Sequence, residues 1–473
     1  MNNNYTRLGQ KIGTIAMLGL LTGCAVGPDY NAPENNHFLG KWFSTSSASE
    51  QHSSQDEIKL DWWAQFNDPL LTAYIDQAAQ ENKNLKAALF NVRRARALKQ
   101  VETSSFLPQL AGDSGAERGK SSGSTDNSFN AGFDASWEID VFGGNRRALE
   151  AASARLGSAQ ESYNDVLLSV LSDVARNYYE ARGLQKRIAI TKTNADLLKQ
   201  TMELVQARME VGEASEFDLS RARGEYQLTL ARVPNYEAEL KASIYALSVL
   251  LGQPPETLLE QMMQVKPLPT PPDIVPVGLR SEILRRRPDI RIAERELAAE
   301  TADIGVATAE LFPKFFLTGN AGGQAATFGD VFSAAGQVWS LAGIMQWSVF
   351  EGGANRARIR AAEAETQAAL ADYEQTVLEA LADAETALAR YGHELETRKR
   401  LEDGVHSRRS SVRLAKELFD AGEEDYLAVL DSERELTSSE DDLVVSETQS
   451  IVKLISLYTA LGGGWSVYAD TQE

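Results

Sequence analysis

The chain has 473 residues, 43% of them hydrophobic and 24% charged, and a formal charge of -20. Such acidity argues against a nucleic-acid partner, which needs a basic face to meet phosphates, and a single cysteine excludes a disulfide framework and a cysteine-rich metal site. Length alone corresponds to about three ordinary domains, but an internal repeat points to one duplicated architecture instead.

The chain begins with a targeting segment, 1–23. Arg7 and Lys11 precede an apolar run from Ile12 to Leu20, which closes in Leu21-Thr22-Gly23-Cys24. That run is too short to span a bilayer as a helix. The closing residues resemble the lipobox of bacterial lipoproteins, which implies that Cys24 becomes the acylated first residue of the mature chain. By the same resemblance, Ala25 in the next position implies sorting to the outer membrane. Residues 24–60 contain Gly27, Pro28, Pro33 and a Ser-rich charged run without helical period, so they read as an extended, lipidated arm.

Residues 61–252 form a first structural repeat. A short helix over 70–80 leads to Asn84, expected to cap a helix of about 22 residues that stops before Leu107-Pro108. Phe129, Ala131, Phe133, Ala135 and Trp137 then alternate with polar residues, the period of a barrel strand with lipid on one face and water on the other. Residues 119–124 read as the hairpin tip. The stretch 145–211 has no proline, and at 1.5 Å per residue it makes a helix about 100 Å long, a stave in a wall of helices. Leu167, Val170, Val174, Tyr178 and Ala181 run beside Leu168, Leu171, Ala175 and Tyr179, two stripes that require neighbours on more than one side. Gly212 ends the stave, Ser215 and Asp218 have capping-box spacing, and a return helix of about 36 residues reaches Leu251.

A proline-rich linker, 253–276, separates this unit from its copy in 277–462. The copy carries a short helix over 279–285, a cap at Asp289 and a helix ending before Phe312-Pro313. Strand residues Gly343, Met345, Trp347 and Val349 alternate with Ile344, Gln346 and Ser348, a tip lies within 322–337, and a second stave covers 354–421, closed by Gly422. At a spacing of 205, Ala88 matches Ala293, Ala97 matches Ala302, Val101 matches Val306 and Pro108 matches Pro313; at 210, Tyr163 matches Tyr373, Asp173 matches Asp383 and Leu251-Gly252 matches Leu461-Gly462. Two spacings held over so long a stretch mark a duplication. A tail, 463–473, follows.

The expected fold is an α+β membrane protein built from a duplicated helix, β-hairpin, long helix, helix unit. Four strands cannot close a barrel without leaving lipid-facing edges, and three copies in cyclic symmetry would supply twelve. Enzyme chemistry finds no support: His37, His52, His393 and His406 are dispersed, and Gly143-Gly144 and Gly352-Gly353 lack a phosphate-loop fingerprint. No metal or cofactor is expected beyond the covalent lipid on Cys24.

The run from Leu284-Arg285-Arg286-Arg287-Pro288-Asp289-Ile290 through Glu296-Leu297, Ala302 to Ala307 and Phe312-Pro313 resembles the TolC-like outer membrane factor family, in its lipoprotein branch. Gly27-Pro28-Asp29-Tyr30 after Cys24, Asp61-Trp62-Trp63, and Gly422 through Tyr426-Leu427 to Leu430-Asp431 carry the same resemblance. It implies a lipid-anchored homotrimer in the outer membrane, a twelve-stranded barrel continuous with a long periplasmic α-barrel, and an equatorial region holding the arm, linker and tail. It further implies an exit duct for small molecules such as drugs, with a periplasmic adaptor and an inner-membrane resistance-nodulation-division pump as partners. The second helix turn would line the periplasmic entrance, making Glu423, Glu424, Asp425 and Asp431 gate candidates, although Ala428 stands where some relatives carry another aspartate. The tips at Gly212, Glu213, Ser215 and Gly422 would dock the adaptor. A protein-secretion or metal-ion export duct shares this fold; a periplasmic coiled-coil lipoprotein would leave the two hairpins unexplained.

Overall fold

The computed structural model describes residues 25–33, 53, 54, 56, 59–121, 123–278 and 280–472, so Cys24 and the segment before it lie outside the described residues. In chain order come strand β1 (Ser53–Ser54), helices α1 (Pro69–Glu81) and α2 (Lys83–Ser104), strands β2 (Gln109–Ser121) and β3 (Ser124–Ile139), and the long helix α3 (Gly144–Glu210). Helices α4 (Glu216–Leu230), α5 (Arg232–Leu250) and α6 (Leu259–Met262) lead to strand β4 (Val275–Pro276). The second copy has helices α7 (Arg280–Arg286) and α8 (Pro288–Ala309), strands β5 (Lys314–Ala325) and β6 (Gln337–Gln346), the long helix α9 (Ala354–Ala421) and its return α10 (Tyr426–Ala460). Among the described residues no helix is long and apolar enough to cross a membrane.

Three local expectations are corrected. The cap of α2 is Asn82, not Asn84: its Oδ1 accepts from the Leu85 amide at 3.0 Å, and Arg287, its equivalent, precedes Pro288 at the first position of α8, leaving Asp289 inside the first turn. Asn82 also donates to the Leu250 carbonyl (2.8 Å) and Arg287 to that of Ala460 (3.1 Å), so equivalent residues tie each helix start to the end of its own return helix. The first return is not one helix: it breaks at Ala231, four residues after Gln227 and three before Pro234, whose ring has no amide for the Leu230 carbonyl. The hairpin tips are also shorter than the glycine and serine content implies, because β2 reaches Ser121 and β5 reaches Ala325. A ladder partner satisfies backbone groups whatever the side chains are.

Contacts divide the chain into two compact units, each drawing on both repeats. The first, from 90–160, 291–376 and the N-terminal segment, holds the antiparallel sheet β2-β3-β5-β6, whose outer strands β2 and β6 each have an edge that no strand pairs among the described residues. The register puts Leu110, Phe133, Ala135, Trp137, Leu317, Trp339, Leu341 and Met345 on one face and Asp113, Asn130, Asp134, Ser136, Thr318, Asn320 and Ser340 on the other. Trp137 donates to the Phe106 carbonyl at 3.0 Å and Trp347 to that of Leu311 at 3.1 Å, a pair related by the repeat. Their ring bodies stay exposed on the apolar side.

The second unit takes 35–89, 161–290 and 377–473. Its core buries Leu167, Leu171, Tyr178 and Tyr179 from α3 with Ile244, Leu247, Leu454 and Tyr458 from the return helices. Trp62 stacks on Tyr458 at 5.7 Å and donates to the Gly463 carbonyl at 3.2 Å, which packs the C-terminal 3-10 helix Trp465–Gln472 against the Asp61-Trp62-Trp63 motif. The linker is pinned as well: buried Arg182 donates to the carbonyls of Met262 and Gln264, Tyr74 donates to Gln261 at 2.9 Å, and β4 pairs in parallel with β1.

Candidate functional site

Both long helices close with the same turn. The Gly212 amide donates to the Met209 carbonyl (3.0 Å) and the Glu213 amide to that of Arg208 (2.8 Å); Gly422 donates to Phe419 (3.1 Å) and Glu423 to Leu418 (3.0 Å). Gly212 and Gly422 adopt φ of 83° and 76°, a left-handed conformation that glycine tolerates without strain. Ser215 and Asp218 complete a reciprocal capping box at 3.2 and 3.1 Å, and Asp425 accepts from the Ala428 amide at 3.2 Å. Four sequence candidates, Gly212, Ser215, Gly422 and Asp425, therefore do what the turns themselves require.

The two tips differ in chemistry. The first exposes Val211 (72%) and Phe217 (63%) beside Glu213, whereas the second presents exposed Glu423 and Glu424. Behind them Leu198, Val205, Leu219, Ala222, Tyr426 and Leu430 form a small core joining α3, α4 and α10. Asp431 pairs with Arg221 of the first repeat at 3.9 Å and with Arg434 at 3.8 Å, while Arg208 lies 4.1 Å over the Phe419 ring and 3.9 Å from Asp420. These ion pairs are long and partly solvent-exposed, so each contributes less than about 1 kcal/mol.

One acid in the same place is buried. Glu433, 5% exposed, accepts from the Thr201 hydroxyl at 3.1 Å and pairs with Lys416 at 2.7 Å. The Tyr426 hydroxyl and Glu433 Oε2 are buried without a hydrogen-bond partner among the described residues. Burial first, then the Glu433 charge, pushes the Tyr426 phenol above its ordinary pKa. Sequence reading missed Glu433 and Tyr426, yet a signal existed: Tyr426, Leu430 and Glu433 share one helical face, so an acid sits where the apolar stripe predicts a core residue. Arg221 carried no such signal, because its partner Asp431 is a repeat away. Asp173 pairs with Arg176 (3.3 Å) one turn away on its own helix, and Asp383 pairs with Arg287 (3.4 Å), the largely buried residue that ties the start of α8 to the end of α10.

The N-terminal segment bears on Cys24. The Val26 amide donates to the Phe142 carbonyl at 3.0 Å, and buried Arg147 donates to the carbonyls of Val26 (3.1 Å) and Gly27 (3.3 Å) and to Asp29 (2.7 Å). Gly27 crosses Gly305 so closely that a Cβ would lie 2.4 Å from its Cα, and Ala25 covers Gly143 in the same way. Residue 25 is thereby fixed at the junction of β3 and α3.

The profile of the family described as outer membrane efflux protein matches residues 74–253 and 279–463. Over 465 residues the chain is 30% identical to nodulation protein T of Rhizobium leguminosarum bv. trifolii, covering 95% of this chain and 96% of that protein. It is 30% identical over 474 residues to the solvent efflux pump outer membrane protein SrpC of Pseudomonas putida, covering 97% and 99%. The solved structure of the outer-membrane channel OprN superposes with a TM-score of 0.88 at 34% identity, across 93% of this chain and 100% of that one.

Proposed function

The chain belongs to the outer membrane efflux protein family, and from that premise we propose that it is the outer-membrane exit duct of a tripartite pump exporting small molecules. The observation that carries this is the sheet: one exposed face is apolar, the other polar, and both edges are open. Such a sheet needs lipid on one side, water on the other and further strands at each end. Three copies related by a cyclic axis supply them as a twelve-stranded barrel, and the long helices of the trimer continue it into the periplasm. Arm 24–60, linker 253–276 and tail 463–473 make the equatorial band between repeats 61–252 and 277–462.

The lipid anchor belongs on Cys24, because residue 25 is held where the strand leaves the sheet for the helix. An acyl chain there would enter the bilayer beside the Trp137 and Trp347 rings. The apolar first tip, with Val211, Gly212, Glu213, Ser215 and Phe217, suits a periplasmic adaptor, and Gly422 shapes the second; an inner-membrane resistance-nodulation-division pump completes the assembly. The second tip is the gate, with Glu423, Glu424 and Asp431 as its charges and Asp425 as the cap that aims them.

Single-channel recording tests the gate. Threefold repetition crowds Glu424 and Asp431 around a narrow bore, which favours cations. Replacing both by Ala is expected to raise conductance, lower cation preference and weaken block by trivalent cations. Arg221→Ala, which removes the first-repeat partner of Asp431 and leaves its charge and its pair with Arg434 in place, is expected to raise conductance while keeping the cation preference. Unchanged conductance and selectivity in the double variant would return these acids to a solvated, capped turn.

A further inference from the structure

Residues 326–336 join β5 to β6 at the end of the sheet away from the helices, and they fold back over its apolar face. A Cβ on Gly323, which lies on that face, would come 1.9 Å from the Val331 carbonyl oxygen, and the Gln324 amide donates to the Gly336 carbonyl at 2.8 Å. A 3-10 helix, Phe328–Phe332, is held in this loop by Asp330, which accepts from the Thr327 hydroxyl at 2.5 Å and, through its carbonyl, from the Ser333 hydroxyl at 2.8 Å. Phe328 packs edge-on against Phe129 at 6.0 Å and Phe332 at 5.9 Å, yet Phe328 is 67% and Phe332 73% exposed. A folded turn thus holds two large apolar rings outward, where most of their surface forgoes burial.

The register fixes their depth. Phe129 and Trp137 lie on the same face of β3, eight residues apart, hence about 27 Å along the strand. The tilt of barrel strands reduces that to roughly 20 Å of depth, close to the apolar band that aromatic girdles flank. Trp137 and Trp347 form the girdle at the helical end. Beyond Phe129 the same face carries Arg118 and Lys120, whereas Glu117 and Asp126 point to the opposite one. The outer surface therefore passes from apolar to aromatic to cationic, as acyl chains give way to an interface and then to anionic headgroups.

We propose that residues 326–336 form an interfacial foot resting in the outer leaflet, with Phe328 and Phe332 at the acyl edge of the headgroup layer. This rests on the duct assignment, since the sheet must span the membrane for the loop to meet lipid. The test uses full-length protein in vesicles of phosphatidylcholine and phosphatidylglycerol, carrying an environment-sensitive fluorophore on Phe332→Cys, on Phe328→Cys or, in the middle of the band, on Leu341→Cys. The unsubstituted chain, whose sole cysteine is Cys24, serves as the labelling control. Lipids brominated near the headgroup are expected to remove more emission at 328 and 332 than lipids brominated near the chain end, with the opposite order at 341 and weak quenching by aqueous iodide at all three. Lipid quenching at 341 with iodide quenching at 328 and 332 would overturn the foot and leave the spanning sheet intact. Shielding of 328 and 332 from both quenchers would assign the loop to a second copy of the chain and overturn it as well. Iodide quenching at 341 would remove the spanning sheet itself, and the foot with it.

Discussion

At the scale of single residues, one buried guanidinium organises the N-terminal segment 25–33. Arg147 holds two carbonyls and the Asp29 carboxylate of the N-terminal segment while pairing with Glu150 at 2.8 Å on its own helix. Burying a cation is costly unless its donors are all met, so the segment is less a tether than a component of the sheet-to-helix junction. Its Gly-Pro-Asp-Tyr motif acquires a physical meaning: Gly27 for the close crossing with Gly305, and Asp29 as the partner of Arg147. Cys24→Ser is expected to lose incorporation of a palmitate analogue while the protein still inserts in the outer membrane, because the sheet keeps its own apolar face. Undiminished labelling would place the lipid elsewhere.

At the scale of elements, the two repeats share a plan but differ in stiffness. Both long helices are unbroken over 67 and 68 residues, and both end in the same glycine turn. The return helices diverge, since α10 is continuous over 35 residues whereas Pro234 divides the first return into α4 and α5. Pro234 sits in the first turn of α5, where a missing amide costs least. Pro234→Ala is expected to fuse the two helices: the new amide gains the Leu230 carbonyl and becomes protected from hydrogen exchange. An amide at 234 that exchanges as fast as free chain would assign the break to packing around Ala231 instead.

At the scale of the whole molecule, the sheet cannot be the finished object. Among the described residues β2 and β6 each present a row of backbone groups without a strand partner, which a bilayer does not satisfy and which water leaves open to any other strand. Purified protein in detergent is therefore expected to be a stable trimer with its strand content intact. A monodisperse monomer retaining the sheet by circular dichroism would overturn the barrel. The differing tips belong to this scale as well, because in such a trimer three acidic turns brought to one axis would gain the like-charge crowding that one turn lacks.

The duplication, the two long helices, the presence of two hairpins and the alternating faces of β3 and of the end of β6 were legible in the amino-acid sequence. Those features are written in local periods, 3.6 or 2 residues, and in glycine and proline punctuation, all of which act between near neighbours in the chain. Phe133 and Trp137 announce an apolar face without reference to any distant residue. Which polar groups meet became visible only once the chain was folded. Arg221 finds Asp431, Arg147 finds Asp29, and Asn82 finds the Leu250 carbonyl across long stretches of chain. The fold also sets how far the strands extend, since Gly119 and Lys120 join the ladder through a partner's backbone and not through their own propensity. Hydrogen bonds and ion pairs depend on positions in space to a fraction of an ångström, and a period along the chain carries no such information.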